Sequence, residues 1–264
     1  MKTRRAILSL VALTFTASVA FAQATTGQKP FEPQVGQAGK DVVWVPTPQA
    51  LVDKMLDMAK VTKSDVVYDL GSGDGRTVIT AAKRGATAMG IEYNPDMVEL
   101  SKKNAEAAGV TGRATFVKAD LFETDLSKAN VITMFLLPSI NMKLRPKILD
   151  LKPGTRIVSN TFTMEDWQPD DSATVTDNCE TSWCTALFWV VPAKVAGEWT
   201  TPSGALTLTQ SFQTISGKLG GEDLKGKLVG NEISFTAGTA KYTGTVDGNS
   251  IKFTSPSAIT ATKK

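Results

Sequence analysis

The stretch Val66-Val67-Tyr68-Asp69-Leu70-Gly71-Ser72-Gly73-Asp74-Gly75-Arg76 limits what this chain can fold into more than any other. Its apolar residues Val66, Val67 and Leu70 predict a buried strand. Glycine at every second position after Asp69 predicts a sharp turn, and a helix is expected to open at Gly75 and run from about Arg76 to Lys83. Glycines let the backbone bend there and let a ligand lie where a Cβ would intrude. The helix that follows presents free N–H groups to whatever occupies the turn. The spacing is Gly-x-Gly-x-Gly, not the Gly-x-Gly-x-x-Gly of dinucleotide-binding turns. Asp69, two residues ahead of the first glycine, suits a cationic group better than a pyrophosphate.

Two more strands end in acids. Ala88-Met89-Gly90-Ile91 leads into Glu92, 23 residues after Asp69, where a carboxylate can accept from both hydroxyls of a ribose. Ala114-Thr115-Phe116-Val117 leads through Lys118-Ala119 into Asp120-Leu121. Three strand ends carrying Asp69, Glu92 and Asp120 in this order resemble class I S-adenosyl-L-methionine (SAM) methyltransferases. The resemblance implies SAM as cofactor and a doubly wound, seven-stranded, Rossmann-like α/β sheet. It implies that Asp69 holds the methionine amino group through water, while Gly71, Ser72 and Gly73 line the cofactor. Glu92 then takes the ribose, and Asp120 with Leu121 takes the adenine edge. Thr47, in the Val45-Pro46-Thr47-Pro48 approach, belongs to a segment able to close over the cofactor.

A narrower resemblance rests on Val45-Pro46-Thr47-Pro48, the Tyr68–Arg76 turn, Phe135-Leu136-Leu137-Pro138 and Leu144-Arg145-Pro146. These segments are similar to the protein-lysine methyltransferases related to the mitochondrial enzyme for the ATP-synthase c subunit, and to their bacterial relatives, over about residues 41–192. It implies a protein lysine as acceptor, with Leu137 and Pro138 forming the catalytic lip where it enters. Such a site must orient a neutral amine in line with the sulfonium methyl, after desolvation or a nearby carboxylate has removed its proton. The Asp/Asn-Pro-Pro-aromatic signature of adenine-DNA methyltransferases is absent at this strand end. A small-molecule acceptor is an alternative, as is an exported binding protein whose methyltransferase-like fold no longer catalyses.

The N-terminus reads as an export signal: Lys2, Arg4 and Arg5, an apolar run from Ala6 to Val19, then Ala20-Phe21-Ala22 as a small-x-small cleavage site. The expected address is periplasmic or secreted, with no membrane span left after cleavage; an uncleaved anchor is the alternative. Thr3-Arg4-Arg5-Ala6-Ile7-Leu8 also loosely resembles a twin-arginine signal. Of 29 basic and 26 acidic side chains, three basic and no acidic ones fall within residues 1–22, leaving 26 of each beyond it. This balance argues against nucleic acid or an anionic membrane as partner. The chain has no histidine, which excludes Ser-His-Asp and Cys-His catalysis and histidine-ligated metals. With two cysteines, no metal site is expected. Cys179 and Cys184 fit either a hairpin-pinning disulfide or two free thiols.

Residues 23–40 are polar, aperiodic and predicted to be a linker. Thr47 is expected to cap a helix opening at Pro48, and Asn94 one opening at Pro95. A fourth strand is expected over Val131–Leu137, a fifth over Arg156–Ser159, and a hairpin over about Ala173–Thr176 and Thr185–Val191 completes the methyltransferase domain of residues 41–192. Residues 195–264 change texture to short alternating segments broken by Gly-Gly, Gly-Asn and Asp-Gly turns. They predict a small all-β antiparallel meander, a sheet or partial barrel of about seven strands, without catalytic groups and with a stabilising or docking role.

Overall fold

A computed structural model describes residues 31–264; the expected export signal over residues 1–22 and residues 23–30 of the expected linker lie outside the described residues. Five parallel strands carry the first half of the fold: β1 (Val66–Leu70), β2 (Thr87–Glu92), β3 (Ala114–Lys118), β4 (Val131–Met134) and β5 (Arg156–Asn160). Strand β7 (Thr185–Val190) runs antiparallel to β5 and carries β6 (Asp171–Thr174) on its outer edge. The order β3-β2-β1-β4-β5-β7-β6 makes the expected seven-stranded doubly wound sheet. Strand order reverses beside β1, and a crevice opens there beyond the carboxyl ends of β1 and β4.

Alternate residues of each strand feed the two faces, as the pleat requires. On one face Val67, Val131 and Val158 meet Leu51, Val52 and Leu56 of α1 (Gln49–Met58) and the apolar side of α2 (Arg76–Lys83). On the other, Leu70, Ile132 and Ile157 meet Leu144 and Ile148 of α4 (Pro138–Leu149) together with Trp167 and Trp189. Helix α3 (Pro95–Ala107) begins as expected, with Asn94 Oδ1 accepting from the Asp96 N–H at 2.9 Å. No helix replaces the short segment between β5 and β6.

Two sequence expectations need correction here. Thr47 is not the cap of α1: the helix starts at Gln49, Pro48 flanks it, and the N–H groups of Leu51 and Val52 bond to the Pro48 carbonyl at 3.0 Å. The fourth strand stops at Met134 rather than Leu137. Met134 pairs with Leu70 on one side and Ser159 on the other, and beyond Leu70 the chain turns away at Gly71, so Phe135–Leu137 have no neighbour on the β1 side.

The C-terminal module is a closed antiparallel barrel of eight strands, one more than expected: β8 (Gly197–Thr201), β9 (Gly204–Ser211), β10 (Thr214–Leu219), β11 (Glu222–Val229), β12 (Glu232–Ala237), β13 (Ala240–Asp247), β14 (Ser250–Ser255) and β15 (Ile259–Lys263). Each strand pairs with the next, and β15 returns to β8 through Thr262↔Thr200 and Lys263↔Trp199. Trp199, Leu206, Leu228, Phe235 and Phe253 fill its interior, leaving a packed core. The barrel abuts the sheet domain where Phe212 stacks on Trp167 with ring centres 5.8 Å apart and Ala193 N donates to Gly230 O at 2.8 Å. Among the described residues no helix is long and apolar enough to cross a membrane.

Candidate functional site

The β1 turn is built from main-chain geometry. Gly71, Gly73 and Gly75 all have positive φ, and a Cβ on Gly73 would stand 2.6 Å from Trp44 Nε1. The neighbouring helix grips the turn from behind: Ser101 Oγ donates to Gly73 O at 2.8 Å and Asn104 Nδ2 to Asp74 O at 2.9 Å. Arg76 pairs with Asp74 through two guanidinium nitrogens, at 3.0 and 2.6 Å, and donates from its remaining nitrogen to Thr47 O at 3.0 Å. That last bond ties the α1 approach to the glycine turn. A cavity of about 530 Å³ lies over the turn.

The three acids differ in environment. Asp69 is 6% exposed and accepts from Thr133 Oγ1 at 2.7 Å. Burial pushes its carboxyl up to about 7, the Thr133 hydrogen bond opposing this and the charges of Asp74 and Glu92 adding to it. Glu92 is half-buried; Oε2 accepts from Gly73 N at 3.0 Å and Oε1 from Asn94 N at 2.9 Å. Each Glu92 oxygen keeps a free lone pair, so the carboxylate can accept two further donors, as a diol offers. Asp120 accepts from Phe122 N at 2.9 Å and from Lys40 Nζ at 2.5 Å, and the lysine holds its carboxyl below the usual range.

Residues assigned to the cofactor from sequence converge on one cavity: Asp69, Gly71, Ser72, Gly73, Glu92, Asp120, Leu121 and Thr47 all line it. Leu137 also lines it, 42% exposed at the mouth. Pro138 does not; it opens α4, where its missing N–H costs nothing, and the catalytic lip loses that residue.

Sequence reasoning misses a strap over the cavity. Residues 34–40 fall in the expected linker, yet they fold back on Val43 and Trp44. Gly36 N donates to Trp44 O at 2.8 Å, Trp44 N to Gln37 O at 2.9 Å and Gly39 N to Val42 O at 2.9 Å. Lys40 at the tip reaches Asp120 and lies 4.7 Å from the centre of the Tyr93 ring. The one signal in sequence is Trp44, an aromatic in an otherwise aliphatic segment; nothing marks Lys40. Also missed are Phe162 and Trp183, which join Phe135 at the end of the cavity away from Asp120.

The cavity's fit to SAM can be tested on its own atoms. The bare face of Gly73 lets the Trp44 indole lie against the turn, and Ser72 lines the cavity beside it with its buried Oγ unpartnered. A buried acid suits an ammonium, and a second acid with two spare lone pairs suits a diol. The set therefore fits an adenosyl amino acid. Among the described residues no group of three or more acids and cysteines is placed to hold a metal ion.

Comparison with known proteins agrees. A family profile described as the ANTKMT methyltransferase domain matches residues 69–171. The chain is 49% identical over 139 residues to a protein-lysine N-methyltransferase of Saccharolobus islandicus, covering 52% of this chain and 86% of the relative. It is 35% identical over 141 residues to the lysine N-methyltransferase of Mus musculus named for the c subunit of ATP synthase, spanning 53% of this chain and 56% of that protein. Among solved structures, a Salinibacter ruber protein described as an RNA methyltransferase in complex with S-adenosyl-L-homocysteine is 46% identical. That match covers 57% of this chain and 96% of that one, with a TM-score of 0.53. The glycine turn, the acid set and these matches place the chain among the SAM-dependent methyltransferases, in the family whose relatives bear the name protein-lysine N-methyltransferase.

Proposed function

We propose that this chain methylates a lysine side chain of another protein, and that it does so outside the cytoplasm. Bound SAM supplies an electrophilic methyl on a sulfonium that leaves as a neutral thioether, so no acid is needed for departure. On this reading Asp69 takes the amino group of the cofactor, Glu92 its ribose hydroxyls, and Asp120 with Leu121 the adenine edge, while Thr47 and the strap close the site. The remaining task falls on the apolar end of the cavity, where Phe135, Leu137, Phe162 and Trp183 stand. These side chains accommodate the aliphatic stem of lysine and desolvate its amine, raising the neutral share that can attack.

That apolar end is the observation that carries the proposal, and the relatives named as lysine methyltransferases support it. The Salinibacter ruber relative is described as an RNA methyltransferase. The balanced charge beyond residue 22 gives an RNA acceptor little support, because phosphate contacts need a basic excess. The experiment is to incubate the enzyme and methyl-labelled SAM with envelope extract and locate the label by mass spectrometry. Label on methylated lysine is expected; label confined to RNA or to small molecules refutes the proposal. The export part is checked by fractionation and by the mass of the N-terminus, expected to begin at Gln23. Full-length chain found only in the cytoplasm would reject it.

A further inference from the structure

Three half-buried rings wall the end of the cavity away from Asp120: Phe135 after β4, Phe162 after β5 and Trp183 before β7. Phe135 stacks on Phe162 with ring centres 5.8 Å apart and meets Trp183 edge-on at 6.0 Å. Phe162 and Trp183 are anchored differently. The Phe162 carbonyl accepts from Ser159 Oγ at 2.7 Å and from Asn141 Nδ2 at 3.2 Å, both from buried residues, and its N–H donates to Asn160 O at 2.6 Å. Phe162 is thus fixed by the core.

Trp183 lies inside the loop closed by the Cys179–Cys184 disulfide, and its N–H donates to Thr181 Oγ1 at 3.1 Å, within that same loop. A short cross-linked loop has few arrangements, whereas an open one lets a ring swing into solvent at little cost. Between residues 176 and 184 the loop carries the exposed acids Asp177 and Glu180 and no lysine or arginine. This charge draws a protonated lysine from solvent before desolvation among the rings raises its neutral share. Aromatic faces attract ammonium groups and pack against alkyl stems.

We propose that the Cys179–Cys184 disulfide builds the acceptor subsite by fixing Trp183 against Phe135, so that binding of a lysine-like alkylammonium, but not of the cofactor, depends on the oxidised chain. The inference rests on the lysine reading above for the class of acceptor. It makes Trp183 a specificity-determining residue and the disulfide its positioning device.

The test uses the purified chain saturated with S-adenosylhomocysteine and titrated with Nε-methyl-lysine amide, while the indole N–H resonances of the five tryptophans are followed by NMR. Trp183→Phe identifies the Trp183 resonance by its loss. The probe is expected to shift that resonance. A water-soluble phosphine, which takes oxygen from water as the S–S bond becomes two thiols, should weaken probe binding several-fold. The Cys179→Ser/Cys184→Ser double variant should do the same without reductant. Trp183→Ala should lose the probe and Trp183→Phe largely retain it. Calorimetry should give one S-adenosylhomocysteine affinity for all these forms. A Trp183 resonance that ignores the probe, equal probe affinity in oxidised and reduced chains, or a matching loss of cofactor affinity would each overturn the proposal. Absence of S-adenosylhomocysteine binding to the untreated chain would instead overturn the methyl-transfer reading itself.

Discussion

Cofactor binding should be linked to a single proton, carried by Asp69. Its carboxyl is buried, bonded to Thr133 and pushed up to about 7 in the free chain. An ammonium can bind only against the ionised form, so affinity should rise about tenfold per pH unit below about 7 and level off above it. At about pH 5 roughly one chain in a hundred carries the ionised form, which weakens binding about a hundredfold, or about 2.7 kcal/mol, relative to about pH 8. The assay is calorimetric titration with S-adenosylhomocysteine in buffers of different ionisation enthalpy, which counts the proton released. Asp69→Asn keeps the acceptor for Thr133 but should bind weakly and without this pH dependence; Glu92→Gln should bind weakly and keep it. A wild-type affinity that is flat across this range, or no proton release at about pH 6, would refute the argument.

The same titration acts on stability with a definite sign. The unfolded carboxyl titrates near 3.8 and the folded one near 7, so between these values the folded chain binds more protons. The associated stability is full below the unfolded value and is lost as pH rises to about 7, by about 4 kcal/mol at most. Asp69→Asn should therefore melt higher than the wild type at about pH 8 and lose that advantage at about pH 4, a site-for-stability exchange common at functional positions.

Two other perturbations address the strap. Lys40→Ala removes its tie to Asp120, and S-adenosylhomocysteine should then dissociate several-fold faster in stopped-flow chase experiments. The wild-type rate should climb with salt and the variant rate should not, because the lost contact is a solvent-accessible ion pair. Gly73→Ala places a methyl group against Trp44 Nε1 on a backbone with φ of +54°, so it should displace the strap. It should also weaken cofactor binding more than tenfold, with a lowered melting temperature from the strained φ.

Where main-chain chemistry dictates the structure, sequence discloses it. Asn94 followed by Pro95 can do little but start a helix, and the alternation of Leu206 and Leu208 on β9 matches one buried face. The fold class follows from elements of this kind. What stays hidden depends on distant partners. β15 offers Ile259 and Ala261 as its inward side chains, a weak signal, and is a strand because β14 and β8 stand on either side to receive it. Phe135–Leu137 are as apolar as any strand, yet lie outside the sheet because β1 has already turned. Lys40 finds Asp120 across 80 residues, and no local pattern announces that pair.

The same distinction separates the two ends of the cavity. The end that holds Asp69, Glu92 and the glycine turn is made of strand-turn-helix units, in which positive φ, free N–H groups and a carboxylate at a strand end leave a fixed spacing in sequence. The other end is made of side chains from three separate loops: Phe135 after β4, Phe162 after β5 and Trp183 within the disulfide. A ring at such a site has to reach the right space, and many positions on a loop let it do so; no spacing rule follows. The end with the glycine turn is therefore constrained by backbone geometry and the aromatic end by how each loop is held, by buried hydrogen bonds for Phe162 and by a covalent bond for Trp183. A methyltransferase can on this basis keep its cofactor turn unchanged while its acceptor changes with a few loop residues.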